Sequence, residues 1–572
     1  MGERVRGAAA AATFVALGVL AAGCAQIPTS GPVVGGEPIE PADQQPPFIQ
    51  VQAPPPAQGA EPAEIADGLI EAMGSYEAGF ETARLFLTED AALSWNATAG
   101  ITVYGGARPD IKEIPGGVRV TMNVTGTVGV DGTYEAAPAG TTKTIEFGTE
   151  RVNGEWRISD LPDGLIVAEF TFGREYEPHN VYYFDPGLNV LVPDPVYLPQ
   201  NENAATLLAQ RLLAGPSDWL AAAVRTSFPE STELGVDAVP VRAGTATVKL
   251  SGDAGLATPE ERELMTAQLV WTLSELPEVD QVEVLSGDVP LPQGGRAVST
   301  EDGTMAKFAP PVLSLETPLY FISDDGIATL AGGEPRPVQG PLGEMADIRE
   351  FAVNVGGNRA VVVSAAGDEL QVASFGADEV VETLAQGIDL SSPSWDRAGL
   401  VWAVDHGVEG PGVRVNRPNG ESVELIAPGL QGRDVDRLAV SLDGTRVAMI
   451  VDGRAYVGTI IRDVDARSAI RLDELRPLGP EGQAIDVGWN AADSVVVLLA
   501  TGGDEPLPYI VGLSGQVTEP RGLAVENATR VATAPPTERR IILETAAGVL
   551  LEQRPGNRWS EITTGRAPAY PG

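Results

Sequence analysis

Apolar and polar positions alternate in a recurring unit along the last 250 or so residues: a polar turn, then a short run of Val, Ile, Leu and Ala. The unit occurs as NVGGNRAVVVSAAG, PSWDRAGLVWAVD, VSLDGTRVAMIVDG, GWNAADSVVVLLATG and APPTERRIILETAAG. The apolar runs begin at Ala360, Leu400, Val447, Val495 and Ile541, at intervals of 40, 47, 48 and 46 residues. A period of that length, with several strands in each unit, predicts the blades of a β-propeller over residues 315–572. No helical periodicity separates the strands, which argues against a doubly wound α/β sheet. Asp443-Gly444 is the expected turn between LAVS and RVAMIV, and Trp395 and Trp489 occupy equivalent places suited to packing between blades. Five units repeat. The hairpin from Leu319 to Gly333 either begins a sixth blade or completes the last by ring closure, so the expected count is five or six.

Upstream, the pattern changes period. Ile65, Leu69, Ile70, Met73, Phe80, Ala83, Leu85, Phe86 and Leu87 recur at helical spacing, and strand-like runs follow through about residue 175. Asn153-Gly154 between TERV and EWRIS predicts a tight hairpin. Helices followed by an antiparallel meander over residues 61–175 resemble, in architecture alone, the cone-shaped NTF2-like domains. Residues 176–300 give strand, helix, strand, helix, strand. Thr258 caps a helix with Pro259 at its first position, while Gly215 and Pro216 stop the earlier one. The series LLAGP, the FPE segment, VKLSGD and AQLVWTLSELPEVDQVEV, spanning Asn203 to Pro290, closely resembles the GerMN domain. That resemblance implies a binding or scaffolding module and carries over no catalytic residue. Residues 301–314 read as a linker.

The first residues change the picture of where the chain works. Arg4 and Arg6 precede AAAAATFVALGVLAAG, which stops at Cys24, the one cysteine of the chain. A membrane-spanning helix needs about 20 apolar residues. A shorter run with basic flank and small-residue end reads as an export signal over residues 1–23. Ala-Ala-Gly-Cys resembles the bacterial lipobox, with Ala21 where leucine is commonest; the resemblance implies S-diacylglycerol and N-acyl modification of Cys24. Residues 24–60, rich in Pro, Gly and Gln, read as an extended stalk. The expected location is therefore the extracytoplasmic face of the cell membrane, lipid-anchored. The formal net charge is −41, with lysine only at 112, 143, 249 and 307. Such a surface repels nucleic acid and anionic lipid, both of which need clustered Lys and Arg. With no cysteine beyond 24, stability comes from packed cores rather than disulfides.

A lipobox, stalk, NTF2-like module, GerMN domain and C-terminal propeller in this order resemble the actinobacterial LpqB lipoprotein family. The resemblance implies an accessory role for the MtrA–MtrB type of two-component system. The partner would be the extracytoplasmic part of the MtrB-like sensor kinase, cell-wall components would be a second class of partner, and the processes concerned would be wall homeostasis and division. The residues supply no catalytic constellation to set against this. The two histidines, His179 and His406, fall in different domains; there is no HExxH, no G-x-S-x-G elbow and no Walker A motif. Asp324-Asp325-Gly326, Asp434/Asp436 and Asp463/Asp465 match no calcium loop and suit solvated turns. No catalytic, cofactor-binding or metal residue is assigned, and no cofactor is expected. An exported wall-glycan-active enzyme and a solute-binding lipoprotein are the alternatives.

Overall fold

The computed structural model describes residues 53–572 except 76, 202, 292–296, 408–411, 463–468, 501–504 and 516. Cys24 and the export signal lie outside the described residues. The stalk was expected to run to residue 60, but residues 53–60 already pack on the first domain. Ala53 and Ala60 are buried in its core, and the Gly59 N–H donates to Glu155 Oε2 at 2.8 Å.

The helix Pro62–Gly74 starts on a proline, and the Glu61 N–H donates to Glu64 Oε2 at 2.9 Å. Ile65, Ala66, Leu69, Ile70 and Met73 form its buried stripe. The stripe lies in one core with a curved sheet ordered Glu155–Asp160, Thr142–Val152, Gly117–Val128, Ile101–Tyr104, Leu165–Ala168. In the long central strand Gly117–Val128 the burial alternates, with Val118, Val120, Met122 and Val124 inward. Asn153 and Gly154 take φ of +53° and +89° at the hairpin tip, as the type I′ turn demands.

In the second domain Thr245–Leu250 runs parallel to Gln281–Ser286, and the helix Pro259–Leu273 makes the crossover. Its capping box is complete: Thr258 Oγ1 accepts from the Glu261 N–H at 3.3 Å, and Glu261 Oε2 from the Thr258 N–H at 2.8 Å. Most of the last turns are buried on every side, including Gln268 and Thr272. These polar groups are spent on the hairpin strand Tyr176–Phe184, because Gln268 Nε2 donates to the Tyr182 carbonyl and Thr272 Oγ1 accepts from its N–H. The segment 301–314 is not a free linker. It forms the short helix Gly303–Ala306, buries Met305 and Phe308 in the second domain's core, and seats Leu313 against Leu442 and Ala534 of the propeller. The three buried residues stand among polar and exposed apolar neighbours without a period, so the sequence pattern misses them.

The propeller has six blades of four antiparallel strands each, and blades 3 and 4 are joined edge to edge by parallel pairing of Ser422–Ile426 with Ala469–Pro477. The repeated apolar runs are the second strands of blades 2 to 6: Arg359–Ser364, Val401–Val404, Arg446–Val451, Ser494–Ala500 and Ile542–Thr545. Blade 1 is built from both ends of the region. Leu319–Ile322, Ile327–Ala331 and Glu334–Pro337 supply three strands, and Arg566–Ala569 pairs with Leu319–Ile322 as the innermost fourth. The hairpin at 319–333 thus begins a sixth blade and the chain's last strand closes the ring. The two equivalent tryptophans bond backwards to the preceding blade: Trp395 Nε1 to the Ala352 carbonyl at 3.1 Å, Trp489 Nε1 to that of Ala439 at 2.9 Å.

Candidate functional site

The innermost strands of blades 2 to 6 are Ile348–Val353, Ser391–Trp395, Val435–Val440, Gln483–Ala491 and Ala528–Ala532. Each slips register near its start, at Glu350, Ser392, Arg437, Asp486 and Arg530 in turn. Blade 1 slips as well, with Ala567 at φ +48°. A bulge leaves backbone groups outside the ladder, and buried ones require partners. The partner comes from the preceding blade. Glu350 Oε2 accepts from the Ser392 N–H at 2.6 Å, Ser392 Oγ from that of Leu438 at 3.1 Å, Asp486 Oδ2 from that of Val531 at 2.8 Å, and Glu544 Oε2 from that of Ala567 at 2.8 Å.

Two guanidiniums bind these carboxylates together. Arg530 Nη2 pairs with Glu350, and its Nε lies 3.7 Å from Glu544. Arg437 lies 3.7 Å from Glu350 and 3.6 Å from Asp486. Blades 2 and 6 are not neighbours, so the Arg530–Glu350 pair reaches past blade 1. Burial pushes the Glu350 carboxyl up, but the Arg530 and Arg437 charges outweigh it and hold it below the usual range. For Asp486 and Glu544, burial dominates and the carboxyls are raised. The carboxylates are 5–11% exposed, whereas Arg437 and Arg530 keep 24% and 22%. The arrangement has its acids locked to backbone N–H groups and only guanidinium edges open. The guanidinium edges, the most open groups of the ring, suit recognition of a carboxylate.

The opposite ends of the inner strands meet the second domain at blades 4 and 5. Arg446 is fully buried; it donates to the Pro193 carbonyl at 3.0 Å, pairs with Asp443 and lies over the Trp489 ring. Asp443 also accepts from Ser441 Oγ, Thr445 Oγ1 and the Thr445 N–H, and its carboxyl is held low. Burial alone would raise it; the Arg446 charge and these bonds together prevail. Gly444, at φ +75°, makes the turn that brings the two residues together. Asn180 Nδ2 donates to Asp493 at 2.7 Å, and Arg476 lies over the Trp219 ring while reaching Glu135 of the first domain at 3.4 Å. Residues Val181, Phe184, Leu250 and Leu269 share one buried cluster with Ile450, Val457 and Val497, so the second domain and the propeller have a common core.

The residues weighed from sequence fall elsewhere. Cys24 and Asp463/Asp465 lie outside the described residues. His179 sits on Tyr176–Phe184, where burial lowers its pKa despite Glu177 and Glu278 nearby. His406 Nδ1 lies 3.6 Å from Asp434. Asp324-Asp325-Gly326 forms the turn between the first two strands of the 319–333 hairpin. Among the described residues no group of three or more His, Cys, Asp or Glu is placed to hold a metal ion. The axial residues were missed, although a signal exists. Glu350, Ser392, Arg437, Asp486, Arg530 and Ala567 each stand two positions before a small residue: Ala352, Ser394, Ala439, Gly488, Ala532 and Ala569.

Comparison with known proteins bears on the whole chain. Residues 55–173 match the family described as "Lipoprotein LpqB, N-terminal domain", residues 180–292 "Sporulation and spore germination", and residues 325–571 "Lipoprotein LpqB beta-propeller domain". Lipoprotein LpqB of Thermobifida fusca is 31% identical, covering 99% of each chain, and that of Streptomyces coelicolor is 32% identical, covering 100% of this chain and 99% of the relative. Among solved structures, the first GerMN domain of the Bacillus subtilis sporulation protein GerM is 23% identical; it covers 22% of this chain and 94% of its own, with a TM-score of 0.18. On these matches over nearly its full length, the chain belongs to the LpqB lipoprotein family.

Proposed function

We propose that this chain is a membrane-anchored accessory regulator of a two-component sensor kinase of the MtrB type, acting by binding and not by catalysis. Acylation of Cys24 holds it on the extracytoplasmic face of the cell membrane, where two acyl chains give stable attachment. Confinement to the membrane plane raises its effective concentration near a membrane partner. Binding then shifts the kinase equilibrium by differential affinity for its two states. The observation that carries this reading is the axial ring: its carboxylates are committed to backbone N–H groups, and what it offers outward is a pair of guanidiniums, a recognition surface.

The test is in-cell crosslinking and pulldown of the wild-type chain and a Cys24→Ser form. Recovery of a sensor kinase with the wild type, reduced or lost with the variant, is the expected result. Recovery of wall polymer or division enzymes alone sinks the reading and directs attention to glycan cleavage. Deleting residues 315–572 is a poor substitute, because it strips the propeller's part of a shared core from the second domain.

A further inference from the structure

Lys143 stands apart from the other lysines. Lys112, Lys249 and Lys307 pair with Asp110, Asp288 and Glu263. Lys143 instead donates to Thr102 Oγ1 at 3.1 Å and makes no ion pair among the described residues. A threonine hydroxyl needs no cation to satisfy it, and in a chain of net charge −41 carboxylates are plentiful. The placement explains more. Lys143 pairs in register with Met122, whose side chain faces the core, so Lys143 lies on the concave face of the first domain's sheet. From the second strand of that sheet it reaches past the third to Thr102 on the fourth.

That face lines a cavity of about 410 Å³, within the range of small-molecule sites. Met73, Phe147, Leu165 and Ile166, each under 5% exposed, line it with Lys143 and Thr102. Three acids also line the cavity: Glu146, Asp160 and Asp163. Glu146 holds Arg119, and Asp163 accepts from the Asn96 N–H at 2.8 Å. These acids disfavour a second negative charge on anything that enters. The overall charge of the chain is screened beyond about 8 Å at physiological salt, so the local ammonium decides.

We propose that the concave face of the N-terminal domain binds a small amphiphile carrying one carboxylate, with its head on Lys143 and Thr102 and its apolar body on Met73, Phe147 and Leu165. This site is independent of the kinase reading and stands or falls separately.

The probe is dansyl-undecanoate, titrated by fluorescence into the chain from residue 25 onward, which keeps every described element. Saturable binding is expected, and unlabelled undecanoate displaces the probe while undecanol does so at least about tenfold less well, the loss of one charge-assisted contact. Lys143→Gln weakens binding about tenfold, and Lys143→Arg stays within about threefold of wild type. Lys143 is exposed, so the thermal midpoint of the unliganded Gln variant should match wild type and exclude misfolding as the cause. Absence of saturable binding, equal displacement by undecanol, or unchanged affinity in Lys143→Gln would each overturn the proposal.

Discussion

The turn between the first two strands of a blade is built differently in blade 2 and blade 4. In blade 2 it reads Asn354-Val355-Gly356-Gly357-Asn358: Asn354 Oδ1 accepts from the Asn358 and Arg359 N–H groups, and Val355, Gly356 and Asn358 face solvent. In blade 4 it reads Ser441-Leu442-Asp443-Gly444-Thr445-Arg446, and every one of these residues is buried. The equivalent backbone N–H groups go to one neutral amide in water in blade 2, and in blade 4 to Asp443 Oδ1 and Ser441 Oγ beneath a protein domain, with Asp443 in turn paired to Arg446. A charge enters the second turn because Arg446 has a carbonyl of the neighbouring domain, Pro193, to reach. Blade repetition therefore supplies a common scaffold, and the turn chemistry records which face is covered.

The largest effect expected from breaking this contrast is that of Arg446→Ala. It strands Asp443 without its counter-charge and costs about 3–5 kcal/mol in urea denaturation, whereas Asn354→Ala in blade 2 costs under about 1.5 kcal/mol. Equal losses at the two sites would show that the second domain does not depend on the blade 4 pair. Trp219→Ala follows, removing an indole that is 5% exposed beneath Arg476. A loss of about 3 kcal/mol, with earlier proteolytic release of the second domain, is the expected outcome.

The smallest effect separates two buried aspartates by pH. Asp443 is held low, so its contribution is present above the unfolded pKa of about 3.9 and is lost as pH falls through the folded value. Asp486 is raised by burial, with Arg437 only 3.6 Å away rather than in hydrogen-bond contact. Its folded form holds the proton more tightly, so stability is lost as pH rises from the unfolded to the folded value. In urea titrations from pH 3 to 7, Asp486→Asn should lessen the loss of stability above about pH 4, to which Glu544 also contributes, while Asp443→Asn should shrink the acid limb, to which Glu350 also contributes. If both variants altered the same limb, the opposite assignments would be wrong.

Much of this architecture can be read from the sequence, because it is periodic or locally signalled. The second strands of five blades, the Asn153-Gly154 turn, the Thr258 cap and the paired tryptophans are short-range patterns. What escapes reading is assembled across long separations. The axial ring draws Glu350, Arg437, Asp486 and Arg530 from four blades, and within its own strand each looks like a surface charge. Blade 1 hides because its inner strand comes from the far end of the propeller region. The segment 301–314 hides because its buried residues are too sparse to form a pattern. Lys143 carries no motif at all; only the bare register of the sheet turns it inward.

The pairing of Tyr320 with Ala569 makes the ring a matter of folding order. Closing a loop of about 250 residues costs about 3 kcal/mol more chain entropy than closing a six-residue hairpin, since the cost grows as the logarithm of length. Nothing repays that cost until the last strand is seated, whereas blades 2 to 6 form from neighbouring segments. The intermediate to expect is an open, five-bladed arc whose first strand shows an unpaired edge. Such an edge pairs readily with other chains, so the final contact made inside one molecule is also the one that keeps it from joining another.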